Sequence, residues 1–265
     1  MKLSNKNYYS EKANKAFLSV SQYKDFFGSL GGKGCEAQAL AKIKGEYKFE
    51  PTTAMLVGSY VDSYFEGTLE EFKESTPQIF NSKTGTLKAD YKQADEIIAR
   101  IERDTKFMQY LSGEKQTIFT AEFEGAKWKC KLDSYLPDKA IVDLKVVDDI
   151  YKAHYANGIG KINFIQARGY DFQLAIYQKI VEINTGKQLP CFIAAADKGK
   201  VTNIELIQIT QPELDSALVG IKNGVERIKK LKSGKEEPER CGKCDYCKQT
   251  KVITKPILMS ALLEG

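Results

Sequence analysis

The order of hydrophobic periods along this chain predicts an α/β fold in which a mixed central β-sheet is flanked by helices. Three observations carry that prediction. Helical patterns fill roughly the first hundred residues, the chain then changes to a two-residue alternation over positions 116–147, and a helix, two short strands and a last helix follow. The 265 residues are ample for one large core, and no Pro-rich linker divides them before positions 233–239. We therefore expect one integrated domain: an N-terminal helical segment, 1–52, packing on a core of 53–232, with a basic cysteine-rich tail at 233–265.

Residues 21–27, 36–44 and 54–66 read as helices. Residues 87–111 read as a longer amphipathic one, with Ala94, Ile97, Ile98, Ile101 and Met108 at helical spacing. The glycine-rich stretch from Gly28 to Gly34 has Gly-x-x-x-Gly-Lys spacing and a glycine where a phosphate loop needs Ser or Thr, so it is no Walker A motif. Gly158-Ile-Gly160 likewise lacks the third glycine of a dinucleotide fingerprint. Segments 116–123, 127–135 and 140–147 alternate and are bounded by Glu-Gly and Pro-Asp turns, which predicts a three-strand antiparallel meander. A helix over 164–183, strands over 191–196 and 203–209, and a helix over 212–231 complete the pattern.

Composition removes several functions. The longest apolar runs, such as Phe192 to Ala196, are far too short to span a bilayer and the N-terminus lacks a signal-type apolar region, so a cytoplasmic address is expected. The six cysteines are then thiols rather than disulfides. A single histidine, His154, excludes His-Glu-x-x-His zinc proteases and multi-histidine centres, and no Gly-x-Ser-x-Gly elbow accompanies it. The net charge of +5 is small, but ten basic and five acidic residues between Lys222 and Lys251 place the whole excess in the tail. Such a tail is either a solvated surface or a seat for a nucleic-acid backbone.

The hairpin from Lys129 to Lys145 is the most informative stretch. With a turn at Pro137-Asp138-Lys139, Leu136 pairs with Ala140 and Asp133 falls opposite Asp143. Parity puts Trp128, Cys130 and Leu132 on one face with Ala140, Val142, Leu144 and Val146, and Lys129, Lys131, Asp133, Asp143 and Lys145 on the other. Facing carboxylates repel. A divalent cation such as Mg2+ would relieve this, and Lys145 beside it would orient a water or stabilise a phosphoryl transition state. The same pattern also suits a plainly solvated strand face. On the helix over 54–66, Asp62 and Glu66 are one turn apart and share a face with Gly58, whose missing side chain allows close approach of another backbone. Gln173 and Tyr177 are likewise one turn apart on the later helix.

In this order the segments resemble the PD-(D/E)XK nuclease superfamily, in particular its RecB-like branch and the phage exodeoxyribonuclease VIII-like (RecE-like) proteins. Gly58-Ser-Tyr-Val-Asp62-Ser-Tyr-Phe-Glu66 resembles the first motif of the branch, Lys-Leu-Asp133 the second, Asp143-Leu-Lys145 the Asp-x-Lys motif and Gln173-Leu-Ala-Ile-Tyr177 the Gln-x-x-x-Tyr motif. With Ser21-Gln-Tyr-Lys-Asp-Phe26 before and the cysteine tail after, the likeness runs from about residue 20 to about 250. Many members place His where this chain has Asp62. The resemblance implies a restriction-endonuclease-like core and Mg2+- or Mn2+-dependent hydrolysis of DNA, exonucleolytic at duplex ends, in phage recombination beside a single-strand annealing partner. It implies that Asp133, Asp143 and the carbonyl of Leu144 hold the metal, that Asp62 and Glu66 complete the site, that Lys145 assists the attacking water, and that Gln173 and Tyr177 orient the site and the strand. An endonuclease of the same superfamily and a non-catalytic DNA-binding or scaffold protein are the rival readings. Homo-oligomerisation stays open.

Cys241, Cys244 and Cys247 form Cys-x-x-Cys-x-x-Cys, three thiolates where zinc and iron-sulfur clusters both want four. Cys130 and Cys191 read as buried small hydrophobes, whereas Cys35 opens a helix. In RecB-like relatives one N-terminal and three C-terminal cysteines hold a [4Fe-4S] cluster, so the resemblance implies such a cluster on Cys35, Cys241, Cys244 and Cys247, with zinc as the alternative. The neighbouring Lys243 and Lys248 are the candidate DNA-binding residues of the tail.

Overall fold

The computed structural model describes residues 1–260 of the chain, so the tail expected at 233–265 is described as far as residue 260. The N-terminal part runs through α1 (Glu11–Ala16), α2 (Val20–Phe27), the two-residue strands β1 (Gly28–Ser29) and β2 (Gly32–Lys33), α3 (Glu36–Lys44), α4 (Thr53–Glu66), α5 (Leu69–Ser75), α6 (Gln93–Glu102) and α7 (Thr105–Tyr110). Strands β3 (Thr117–Phe123), β4 (Ala126–Leu132), β5 (Ser134–Leu136) and β6 (Ala140–Val147) come next, then the small hairpin of β7 (His154–Ala156) and β8 (Gly160–Ile162). Helices α8 (Phe164–Arg168) and α9 (Tyr170–Thr185), strands β9 (Cys191–Asp197) and β10 (Ile204–Ile209), and helices α10 (Gln211–Ala217), α11 (Ile221–Lys232) and α12 (Asp245–Gln249) complete it.

The helices begin where side-chain acceptors allow. Ser19 accepts from the Gln22 amide, Thr52 from Met55 and Asp104 from Phe107, each satisfying an amide of a first helical turn. The Asp104 cap also explains one difference from expectation: the long helix over 87–111 is broken, because α7 starts anew there. Glycines in left-handed conformation break the other two long helices, Gly169 (φ 62°) between α8 and α9 and Gly220 (φ 80°) between α10 and α11. The glycine-rich stretch makes the β1–β2 hairpin. A Cβ on Gly31 would lie 2.4 Å from the carbonyl oxygen of Ala167, so this glycine permits the hairpin to dock on α8.

The central sheet has the order β10-β9-β6-β5, with β6 and β9 parallel and both outer pairs antiparallel. It is a mixed sheet flanked by helices, as expected. Helices cover both sides of β6, so both of its faces are buried: Ile141 belongs to a core with Leu174 and Ile176 of α9, while Ala140, Val142 and Leu144 belong to a second core with Val57 and Val61 of α4 and Ile97 and Ile101 of α6. Among the described residues no helix is long and apolar enough to cross a membrane.

The expected meander is corrected. β3 pairs with β4 in a separate two-stranded sheet, and β6 pairs with β5, because the middle strand is interrupted at Asp133. The interruption also shifts the phase of the side chains. Trp128, Cys130 and Leu132 pack in the core that holds Ile141, not in that of Ala140, Val142 and Leu144.

Candidate active site

Four elements converge on one cavity of about 390 Å3 whose walls include Asp62 and Glu66 from α4, Asp133 from the β4–β5 junction, Asp143 and Lys145 from β6, and Gln173 and Tyr177 from α9. Every acidic and amphipathic residue singled out in the hairpin and helix motifs is therefore brought together. The expected turn register holds, with Leu136 opposite Ala140, but the ladder stops at Ser134–Val142. Asp133 does not pair as a strand residue. Its Oδ2 accepts the amide of Leu144 (2.9 Å), a side chain taking the place of a ladder carbonyl and tying the first carboxylate to the strand that carries the second.

Asp143 is almost fully buried. Its Oδ1 accepts from Gln173 Nε2 (2.8 Å), and its Oδ2 pairs with the Lys145 ammonium. Lys145 also donates to the Leu144 carbonyl (3.1 Å) and lies 5.1 Å from the centre of the Tyr170 ring. Gln173 thus acts on Asp143 directly, whereas Tyr177 lines the cavity and packs against the α9 core. Burial raises the Tyr177 hydroxyl well above its ordinary range and so keeps it neutral.

The acids are held against their charge. Burial pushes the Asp62 carboxyl up to about 7 against the pull of Lys145, with Glu66 and Asp143 adding to the rise. Burial and the nearby Asp143 hold Asp133 well above the usual carboxylate range, and burial raises Glu66 in the same direction. Burial works against the Lys145 ammonium, but Asp143 and Asp133 outweigh it and keep the lysine charged. Buried Oδ1 of Asp62 has no hydrogen-bond partner. An orphaned carboxylate oxygen in a cluster of acids calls for a cation, and an all-oxygen donor set suits a hard divalent ion. The residues present fit Mg2+ or Mn2+.

Gly58 does not play the part its position suggests. A Cβ there would sit 3.8 Å from Val146 Cβ, ordinary contact with a side chain, so no close backbone approach requires the glycine. Sequence reasoning put Lys129 on the face of the acids but missed the N-terminal part of the wall. Tyr8 and Lys129 line the cavity, and Lys129 Nζ donates to the Tyr8 carbonyl (2.5 Å) and to Asn14 Oδ1 (2.8 Å) while lying 4.5 Å from the centre of the Tyr8 ring. Burial lowers this lysine to about 8. The alternation placed Lys129 on the face of Asp133, but only the packed N-terminal segment shows that the face is covered there.

The tail lysines lie elsewhere. Lys243 lines a neighbouring groove of about 1060 Å3 together with Lys24 and Lys33, and that groove shares Asp25 as a wall with the acidic cavity. Lys248 is exposed, 3.9 Å from Asp245. The four expected cysteines do meet: the sulfurs of Cys35, Cys241, Cys244 and Cys247 all lie within 4.8 Å of one another. Cys130 and Cys191 are buried apart from them, as expected.

The chain is similar, at 50% identity over 100% of its length and 99% of the other, to the crystal structure of the Eubacterium rectale protein named "Putative exonuclease", with a TM-score of 0.96. A second solved structure, that of SSO0001, is 12% identical with a TM-score of 0.34 over 81% of this chain and 93% of that one, a likeness that carries no argument. No curated protein matches the chain. The profile of a PDDEXK-like domain of unknown function (DUF3799) matches residues 19–250, a span that takes in the acidic residues of the cavity and the cysteine cluster alike, and the chain belongs to this PDDEXK-like family.

Proposed function

We propose that this chain is a divalent-metal-dependent nuclease that hydrolyses phosphodiester bonds of DNA, working as an exonuclease on duplex ends. The observation that carries the reading is the meeting of Asp62, Asp133, Asp143 and Lys145 in one cavity, with a buried Asp62 oxygen left unpartnered. Membership of the PDDEXK-like family supports it, and the exonuclease name of the Eubacterium rectale protein favours attack at ends. Asp133, Asp143 and the Leu144 carbonyl would hold Mg2+ or Mn2+, with Asp62 and Glu66 completing the site. Such an ion, when bound, polarises a phosphoryl oxygen and lowers the pKa of its water.

The chain's own groups have distinct parts. Gln173 and Lys145 fix the two oxygens of Asp143, and the Leu144 amide fixes Asp133, so the acids are held in place before substrate arrives. Asp143 and Asp133 favour the charged form of Lys145, which suits it to act as a cation rather than a base. It orients the attacking water and stabilises negative charge developing on the phosphoryl oxygens. A water oxygen joins phosphorus as the bond to the leaving sugar oxygen breaks; one proton leaves the water and one reaches the leaving oxygen. Tyr177 orients the strand from the cavity wall. The groove bearing Lys24, Lys33 and Lys243 offers a path for the DNA backbone beside this centre. A role in phage-type recombination beside a single-strand annealing partner extends the reading on the strength of the superfamily resemblance, and the cytoplasmic address rests on the lack of apolar segments in the sequence.

Digestion of linear and covalently closed duplex DNA, with Mg2+ and with EDTA, tests this function. Linear DNA should be degraded only with the metal and closed circles spared, and Asp143→Ala and Asp133→Asn should be inactive with unchanged circular dichroism. Cleavage of closed circles would replace the exonuclease with an endonuclease. Full activity in both variants would remove the site.

A further inference from the structure

The superfamily resemblance implies a four-iron cluster on the cysteines, and the spacing of the sulfurs does not fit one. Cys35 Sγ lies 3.6 Å from Cys247 Sγ, Cys241 Sγ lies 4.0 Å from Cys247 Sγ, and no pair among the four exceeds 4.8 Å. Four thiolates arranged tetrahedrally around a single ion at a metal–sulfur distance of about 2.3 Å stand about 3.8 Å apart. In a cubane each thiolate is carried outward on its own iron, with the sulfides between, so the same four sulfurs stand roughly 6 Å apart. The observed set matches the first arrangement and leaves no room for the second. We propose that Cys35, Cys241, Cys244 and Cys247 form a mononuclear tetrathiolate zinc site that clamps the C-terminal tail onto the N-terminal helices.

The surroundings are those of a closed structural centre. The amide of Cys244 donates to Cys241 Sγ (3.3 Å) and that of Cys247 to Cys244 Sγ (3.4 Å), so two thiolates receive the backbone hydrogen bonds that offset their charge. Cys35 and Cys247 are buried, and Ala37, Cys244 and Tyr246 pack around them. Cys241 is exposed, and Cys35, Cys241 and Cys244 also line the groove that holds Lys243, but four thiolates fill all four positions of a tetrahedral ion, the mark of a structural rather than a catalytic site. The tail is also seated independently of the sulfurs. Arg227 grips the Glu36 carboxylate through Nε (2.9 Å) and Nη2 (2.6 Å), the Glu239 amide donates to Glu36 Oε2 (2.8 Å), and the Ala37 amide donates to the Glu239 carbonyl (3.1 Å). These contacts anchor the helix that Cys35 opens to the segment that leads into the tail, and Cys35 meets Cys247 across 212 residues of chain. A link closing so long a loop restricts the unfolded chain strongly.

The full chain, purified without oxygen, should be colourless and contain one zinc ion per chain, no acid-labile sulfide and no stoichiometric iron. Replacement of the metal by Co2+ should give the intense visible absorption of a tetrahedral tetrathiolate, a signature that an oxygen-lined site cannot produce. Cys35→Ser and Cys247→Ser should each weaken zinc binding by more than the about 10–100-fold that loss of an outer hydrogen-bond partner costs, whereas Asp133→Asn should keep its zinc. If a cysteine variant fails to fold, release of zinc from wild-type protein by a mercurial reagent decides the matter: one zinc should appear for four thiols titrated. Four irons with four sulfides, a single iron as the only bound metal, Co2+ spectra without thiolate character, or zinc release unlinked to the thiols would each overturn the proposal.

Discussion

Neutralising Asp62 should stabilise the protein once divalent ions are removed. Burial, with Glu66 and Asp143 adding their repulsion, holds this carboxyl up to about 7 against its ordinary 3.8. A rise of about 3 units at about 1.4 kcal/mol per unit corresponds to about 4 kcal/mol, a ceiling because the neighbouring acids share the repulsion and titrate together. The folded protein binds this proton more tightly than the unfolded chain does. The penalty is therefore absent below about pH 4, grows as the pH climbs through the window between 3.8 and about 7, and is complete above it. Asp133 and Glu66 are raised as well and act in the same direction, while Lys145 keeps its charge throughout that window. Urea denaturation in EDTA should find the wild type less stable at pH 8 than at pH 5. Asp62→Asn should gain about 2–4 kcal/mol at pH 8 and less at pH 5. Millimolar Mg2+ should then stabilise the wild type more than the variant, because only the wild type keeps every ligand. An Asp62→Asn protein no more stable than wild type at pH 8 in EDTA would refute the reasoning.

Four other substitutions probe separate parts of the molecule. Lys145→Ala should lower turnover by about 100- to 1000-fold while changing DNA affinity little, since the lysine acts on charge that develops in the transition state; single-turnover rates and binding titrations separate the two. Lys243→Ala, and Lys248→Ala if its side chain also reaches the backbone, should instead weaken DNA binding without changing the rate of bound substrate. Each should flatten the salt dependence of binding by about one log-log unit for every phosphate left without its lysine. Gly58→Ala should stabilise α4 by about 0.5–1 kcal/mol, read as a higher melting temperature with activity intact, because the added methyl meets only Val146 Cβ at 3.8 Å.

Much of the site was legible because its residues carry their own spacing. Asp62 and Glu66 declare a shared helix face through their separation of one turn, and Asp143 and Lys145 declare a shared strand face through parity. Three thiolates in the tail wanted a fourth donor, and it was the superfamily resemblance that pointed to Cys35. What the periodicities could not convey was a change of phase inside a strand. Nothing in the residues around Asp133 marks an interruption, and without it Trp128, Cys130 and Leu132 fall on the wrong face. Helix breaks at Asp104, Gly169 and Gly220 were hidden by apolar patterns that run on through them. The covering of Lys129 by Tyr8 and Asn14 joins segments more than a hundred residues apart, and no local pattern encodes it.

The bond from the Leu144 amide to Asp133 gives the site a reporter of its own. Leu144 sits between Asp143 and Lys145, and its carbonyl receives the lysine while its amide holds the other acid. The two peptide planes that meet at Leu144 are therefore tied to both acids, and breaking the bond frees the Asp133 carboxylate from the strand that carries Asp143. Isotope exchange at this single amide will read how often the acidic pair comes apart. Where Asp133 is replaced by alanine, that amide loses its acceptor in a buried strand, at a cost of about 1–3 kcal/mol, so a dead Asp133→Ala enzyme would confound a broken scaffold with a missing ligand. Asparagine keeps an acceptor for the amide while removing the charge, which makes it the substitution that separates architecture from chemistry at this position.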